Sequence, residues 1–73
     1  MTNGLVKDRK TMFIKGYAVQ WYSTLMGTTK IIIYVQIPGN RWVSVCEDAL
    51  DYVADDGSVE SFAKGKIEEI ENL

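Results

Sequence analysis

Five aromatic residues and three cations between residues 15 and 42 have the types and spacing to do chemistry. Tyr17, Trp21, Tyr22, Tyr34 and Trp42 fall in stretches rich in β-branched and aromatic residues, with Lys15, Lys30 and Arg41 close by. On a sheet, rings interleaved with cations can stack on nucleic-acid bases while the cations track phosphates. Lys15, Tyr17, Trp21, Lys30 and Arg41 are therefore the candidate residues of a nucleic-acid face. The competing reading places most of the rings in the core or at a subunit interface, because a small domain needs its aromatics for burial. Burial is the preferred reading.

Acid–base, metal and nucleophilic chemistry have little to work with. Histidine, the commonest general base and metal ligand, is absent. One cysteine and no histidine exclude a Cys–His pair and the usual zinc spacings. The six glycines are scattered and form no phosphate-binding loop. Asp51, Asp55, Asp56 and Glu60 make the one carboxylate cluster, but their spacing does not match an EF-hand loop. They read as a solvated turn. No catalytic residue, metal site or cofactor is expected, and the chain is read as a non-enzyme.

The element that must position the rings is the stretch Lys30–Val45. Two β-branched and aromatic runs flank Pro38-Gly39-Asn40, the pattern of a β-hairpin. With those three residues as the loop, Ile37 faces Arg41, Val35 faces Val43 and Ile33 faces Val45. Ile31, Ile33, Val35, Val43 and Val45 then form one buried stripe. The opposite face carries Ile32, Tyr34 and Trp42 among polar residues, and these three are the candidate interface.

Upstream, Met12–Met26 mixes apolar residues on both alternations. Its aromatic and β-branched content favours a strand over a helix, followed by a turn through Gly27. Downstream, Ser44-Val45-Cys46-Glu47 fits a capping box, and Val45, Cys46, Ala49, Leu50 and Val53 follow helical spacing up to Gly57. A hairpin pairing Tyr52–Ala54 with Val59–Phe62 competes with that helix. Val59, Phe62, Ala63, Ile67, Ile70 and Leu73 recur in steps of three and four, a helix that Ser58 can cap.

These elements predict an α+β fold: a small three-stranded antiparallel β-meander followed by one or two helices packed on one face. A mostly β small barrel with a C-terminal helix is the alternative. Residues 1–10 read as an N-terminal tail or extension and residues 11–73 as a single small domain.

The chain has 73 residues and an apolar fraction of 47%, ordinary for a globular protein. No secretory signal or membrane-length apolar run is evident, so a cytoplasmic protein is expected. Charge is unevenly distributed: six basic residues and one acidic lie before Trp42, two basic and nine acidic from there on. Mutual neutralisation, within a monomer or across a dimer, is the simpler account of that split. With helix enough to cover only one sheet face, Ile32, Tyr34 and Trp42 would leave an apolar patch, the mark of a contact site. The functional expectation is a small accessory protein acting through protein–protein contact and self-association as a homodimer. A nucleic-acid-binding module is the alternative.

Overall fold

A computed structural model describes residues 4–73. The order of elements is β1 (Lys10–Ile14), β2 (Tyr17–Ser23), β3 (Thr29–Ile37), β4 (Arg41–Leu50) and α1 (Asp56–Glu71). The strands form one open antiparallel sheet in the order β1-β2-β3-β4. The α+β class holds. The sheet has four strands instead of three, one helix follows it among the described residues, and it does not close into a barrel.

The extra strand comes from a turn inside Met12–Met26. Lys15 and Gly16 both take positive φ, 51° and 83°, and Ile14 pairs with Tyr17 across them. That is a two-residue hairpin whose twist matches the strands it joins. Lysine is not the residue expected at the first position of such a turn, so the sequence reads as one continuous run.

The larger correction concerns Ser44–Leu50, which is strand and not helix. Ile37 pairs with Arg41 and Val35 with Val43 as the hairpin reading requires, but Ile33 pairs with Cys46, not Val45. A β-bulge between Ile33 and Tyr34 on the β3 side leaves Val45 as the extra residue, exposed at the sheet edge. The bulge also explains the false helical signal. One inserted residue puts same-face neighbours Val43 and Cys46 three positions apart, a spacing a helix shares.

One face of the sheet, here the inner face, packs against α1. Val19 and Trp21 from β2, and Ile31 and Ile33 from β3, meet Val59, Ala63 and Ile67 of the helix, all buried. Met12, Ile14, Tyr17, Cys46, Leu50 and Phe62 close the margin, half-buried. The 59-63-67 spacing places one residue per turn on the same stripe. Full burial of each larger aliphatic side chain contributes about 1.5–3 kcal/mol. Ile70 lies at the border of that stripe and Leu73 is outside it, fully exposed.

Helix α1 starts where Asp55 accepts a hydrogen bond from the Ser58 amide at 2.8 Å. Asp55, not Ser58, is thus the N-cap, and Gly57 sits in the first turn and does not terminate a helix. The Ser58 amide holds the Asp55 carboxyl below the ordinary carboxylate range. The competing hairpin of Tyr52–Ala54 with Val59–Phe62 does not form. Thr29, fully buried, fixes the connection between β4 and α1: its Oγ1 donates to the Tyr52 carbonyl and accepts from the Ala54 amide, both at 2.8 Å. On the same side, Lys66 reaches Asp48 of β4 at 3.3 Å. The Ala49 amide and Lys66 lower the Asp48 carboxyl, and Asp48 in turn raises Lys66.

Gly65 sits on the exposed side of α1, and a Cβ there would meet nothing within 4 Å. Gly65→Ala is therefore expected to stabilise the protein by about 0.5–1 kcal/mol, by removing backbone freedom from the unfolded chain. A urea melt checks this. An unchanged or lower midpoint would mean that something packs closely over that position.

Candidate functional site

The second face of the sheet, the outer face, carries the residues expected to form an interface. Ala18 of β2, Ile32 and Tyr34 of β3, and Trp42 of β4 form their own apolar cluster there. Ala18 pairs with Tyr34 and with Phe13, and its methyl leaves room for larger side chains over it. The Trp42 ring extends to within 5.8 Å of Phe13, centroid to centroid, at a tilt of 53°. The rings thus bridge strands that are not neighbours in the sheet.

This cluster is not the open patch the sequence suggests. Ile32, Tyr34 and Trp42 are only 5%, 6% and 8% exposed. The segment read as a tail or extension covers them: Leu5 packs against the cluster, and Gly4 lies so close to the Trp42 carbonyl that a Cβ would come within 1.8 Å of that oxygen. Met1–Asn3 lie outside the described residues. The strap, residues 4–9, is held most directly by Gln20, and Thr11 Oγ1 also donates to the Arg9 carbonyl at 3.2 Å. Gln20, 2% exposed, accepts from the Val6 amide through Oε1 at 2.9 Å and donates to the Val6 carbonyl through Nε2 at 2.9 Å. The same Nε2 also donates to Thr11 Oγ1 at 3.0 Å. A buried amide is tolerated because its polar groups find partners. Trp42 Nε1, by contrast, is buried with no acceptor among the described residues.

The residues proposed for a nucleic-acid face do not share one. Trp21 is buried under α1 and Tyr17 is half-buried at the margin of the same core. Lys15 is in the β1–β2 turn, 3.8 Å from Glu71 of the helix. Lys30 projects from the outer face opposite Tyr22 and Ala49, while Arg41 starts β4 at the far end of the sheet. Three of the four carboxylates turn to separate partners: Asp55 caps the helix, Asp56 meets Lys10 at 3.6 Å and Glu60 meets Lys64 at 3.1 Å, while Asp51 is exposed. No group of three His, Cys, Asp or Glu side chains among the described residues is placed to hold a metal ion. No helix among them is long and apolar enough to cross a membrane.

One end of the sheet presents exposed apolar side chains that were not among the candidate interface residues. Leu25 and Met26, at the tip of the β2–β3 loop, are 107% and 88% exposed. Tyr52 and Val53, in the β4–α1 connection, are also exposed. The Thr29 clamp brings that connection to the start of β3, so both loops lie at the same end. The β2–β3 tip is held in shape by its own threonines. The Thr24 amide donates to the Thr28 carbonyl at 2.9 Å, the Gly27 amide donates to the Thr24 carbonyl at 3.1 Å, and the two hydroxyls lie 2.6 Å apart. Beside this end, Asp8, Arg9, Lys10, Tyr22 and Ser23, together with the apolar Trp21 and Ala54, line a cleft of about 240 Å³. The Arg9 guanidinium stacks 4.5 Å from the Tyr22 ring centroid. The available signal was Leu25-Met26 directly before Gly27, two large apolar residues where a turn ordinarily carries polar ones. No protein-family model, curated protein or solved structure matches the chain.

Proposed function

We propose that this protein is a small non-enzymatic accessory protein that acts by protein–protein contact and self-associates through the end of the sheet bearing Leu25 and Met26. The observation that carries the reading is the pair of fully exposed apolar side chains on a hydrogen-bonded loop tip, flanked by Tyr52 and Val53. A turn braced by Thr24 and Thr28 presents them at little entropic cost, and preorganisation of this kind favours binding. Methionine and tyrosine are enriched in interface cores, where polar rims surround apolar anchors. The polar side chains of Asp8, Arg9, Lys10 and Ser23 along the neighbouring cleft supply such a rim next to the apolar tip. A standard interface takes about 800 Å² from each partner, roughly one sixth of this chain's 4888 Å². A two-fold pairing of this end is the simplest assembly, since symmetric dimers are the commonest oligomers.

Light scattering at micromolar concentration tests the proposal on the wild type and on the Leu25→Ser/Met26→Ser variant. The wild type should show about twice the 8.3 kDa chain mass, and the variant should return to a single chain. Both substitutions lie on the surface and should change stability by no more than about 0.5 kcal/mol, so the loss of mass would not reflect unfolding. A wild type that stays monomeric, or a variant that still associates, would move the contact elsewhere or remove it.

A further inference from the structure

The strap is bound to the outer face as a peptide ligand would be. Gln20 pairs with the amide and carbonyl of a single residue, Val6, two main-chain groups that any non-proline residue offers whatever its side chain. The strap contributes one side chain, Leu5, to the Ala18–Ile32–Tyr34–Trp42 cluster. Position 4 has no room for a Cβ against the Trp42 carbonyl, and its φ of +95° suits glycine. The face therefore specifies a glycine, then an aliphatic residue, then a residue read only by its main chain.

We infer that the outer face is a binding site for a short segment of this type, bent at its glycine, filled in cis by Gly4–Val6 and able to accept the same segment from a second copy. The hinge is the polar turn Lys7–Arg9, closed by one long hydrogen bond from the Arg9 amide to the Val6 carbonyl at 3.3 Å. The first strand pair, Lys10 with Trp21, lies beyond the turn, so the strap can swing away while β1 stays in the sheet. Release uncovers Ile32, Tyr34 and Trp42, an apolar surface that favours a replacement occupant. Exchange of an identical element between copies is a low-cost route to such an occupant. The Trp42 indole N–H, unpaired among the described residues, leaves the face a spare donor for an incoming carbonyl.

The test uses the full chain carrying Leu5→Asp, whose carboxylate will not enter the apolar cluster and so empties the site in cis. A synthetic peptide covering Gly4–Lys10 is titrated to millimolar concentration, with amide chemical shifts and tryptophan fluorescence as readouts. Saturable shifts confined to Gln20, Ile32, Tyr34 and Trp42 are expected. They should be lost with a peptide carrying Leu5→Asp and weakened at least about tenfold when the protein also carries Gln20→Ala, since two main-chain hydrogen bonds go. Should the Leu5→Asp chain fail to fold, Gly4→Val unseats the strap by its clash with Trp42 and takes its place. A response that never saturates, or is equal for both peptides, in a chain with a cooperative melt would overturn the inference. Leu25 and Met26 take no part in this site, so its failure would leave the proposed contact surface untouched, and the reverse.

Discussion

Ile33→Ala is expected to cost about 2–5 kcal/mol, from lost transfer energy and from the cavity left beneath α1. Ile33 is buried between β2 and β4 in the sheet and lies in the cluster with Val59, Ala63 and Ile67. A domain of this size has only a few kcal/mol of net stability, so much of the variant should be unfolded at room temperature. Val35 lies on the same side of β3 but is only half-buried, past the reach of the buried helix stripe. Val35→Ala should therefore cost clearly less. Urea melts of the two variants separate the cases. Equal losses, or less than about 1 kcal/mol for Ile33→Ala, would mean that the helix does not rest where the buried cluster puts it.

Trp42→Ala is expected to cost about 3–5 kcal/mol, an effect as large as that of a residue under the helix. The ring is the largest member of the outer cluster: it packs with Tyr34, Ile32 and Ala18 and leans on Phe13. Its loss also removes part of the surface on which Leu5 rests, so the strap should loosen with it. Two effects partly offset the cost. The orphaned indole N–H no longer has to be buried, and Phe13, already exposed, gives up only one face of its contact. The measurement is a chemical melt combined with amide exchange at Val6, whose hydrogen bond to Gln20 reports the seated strap. Loss of protection at Val6 with the helix intact is the expected pattern. A change below about 1 kcal/mol would show the outer cluster to be a cover without much energy in it.

Where the local signals agreed, the sequence by itself determined the structure. The Lys30–Val45 hairpin follows from β-branched runs around Pro38-Gly39-Asn40, and Gly39 and Asn40 do adopt the positive φ such a loop needs, 92° and 58°. The C-terminal helix follows from the spacing of Val59, Ala63 and Ile67, which is local and repeats with the helical period. The dominant role of β3 was legible too, since its near-continuous apolar run suits a strand buried on both faces.

Only the tertiary structure decided the rest, because each remaining choice rested on contacts distant in sequence. Ser44–Leu50 carries a helix cap and helical spacing, but β3 offered an unpaired edge, and ladder hydrogen bonds outweigh a local preference worth a few tenths of a kcal/mol per residue. The bulge at Val45 then disguised the strand by breaking its period of two. The outer face illustrates the same limit. Composition showed that Ile32, Tyr34 and Trp42 needed covering, but not that residues 4–9 would do it. That outcome depends on contacts distant in sequence, among them the buried amide of Gln20, fourteen positions from the residue it holds, and the packing of Leu5 on the cluster. The exposure of Leu25 and Met26 was decided by the tertiary structure too, since no other element of the fold packs over the β2–β3 loop tip.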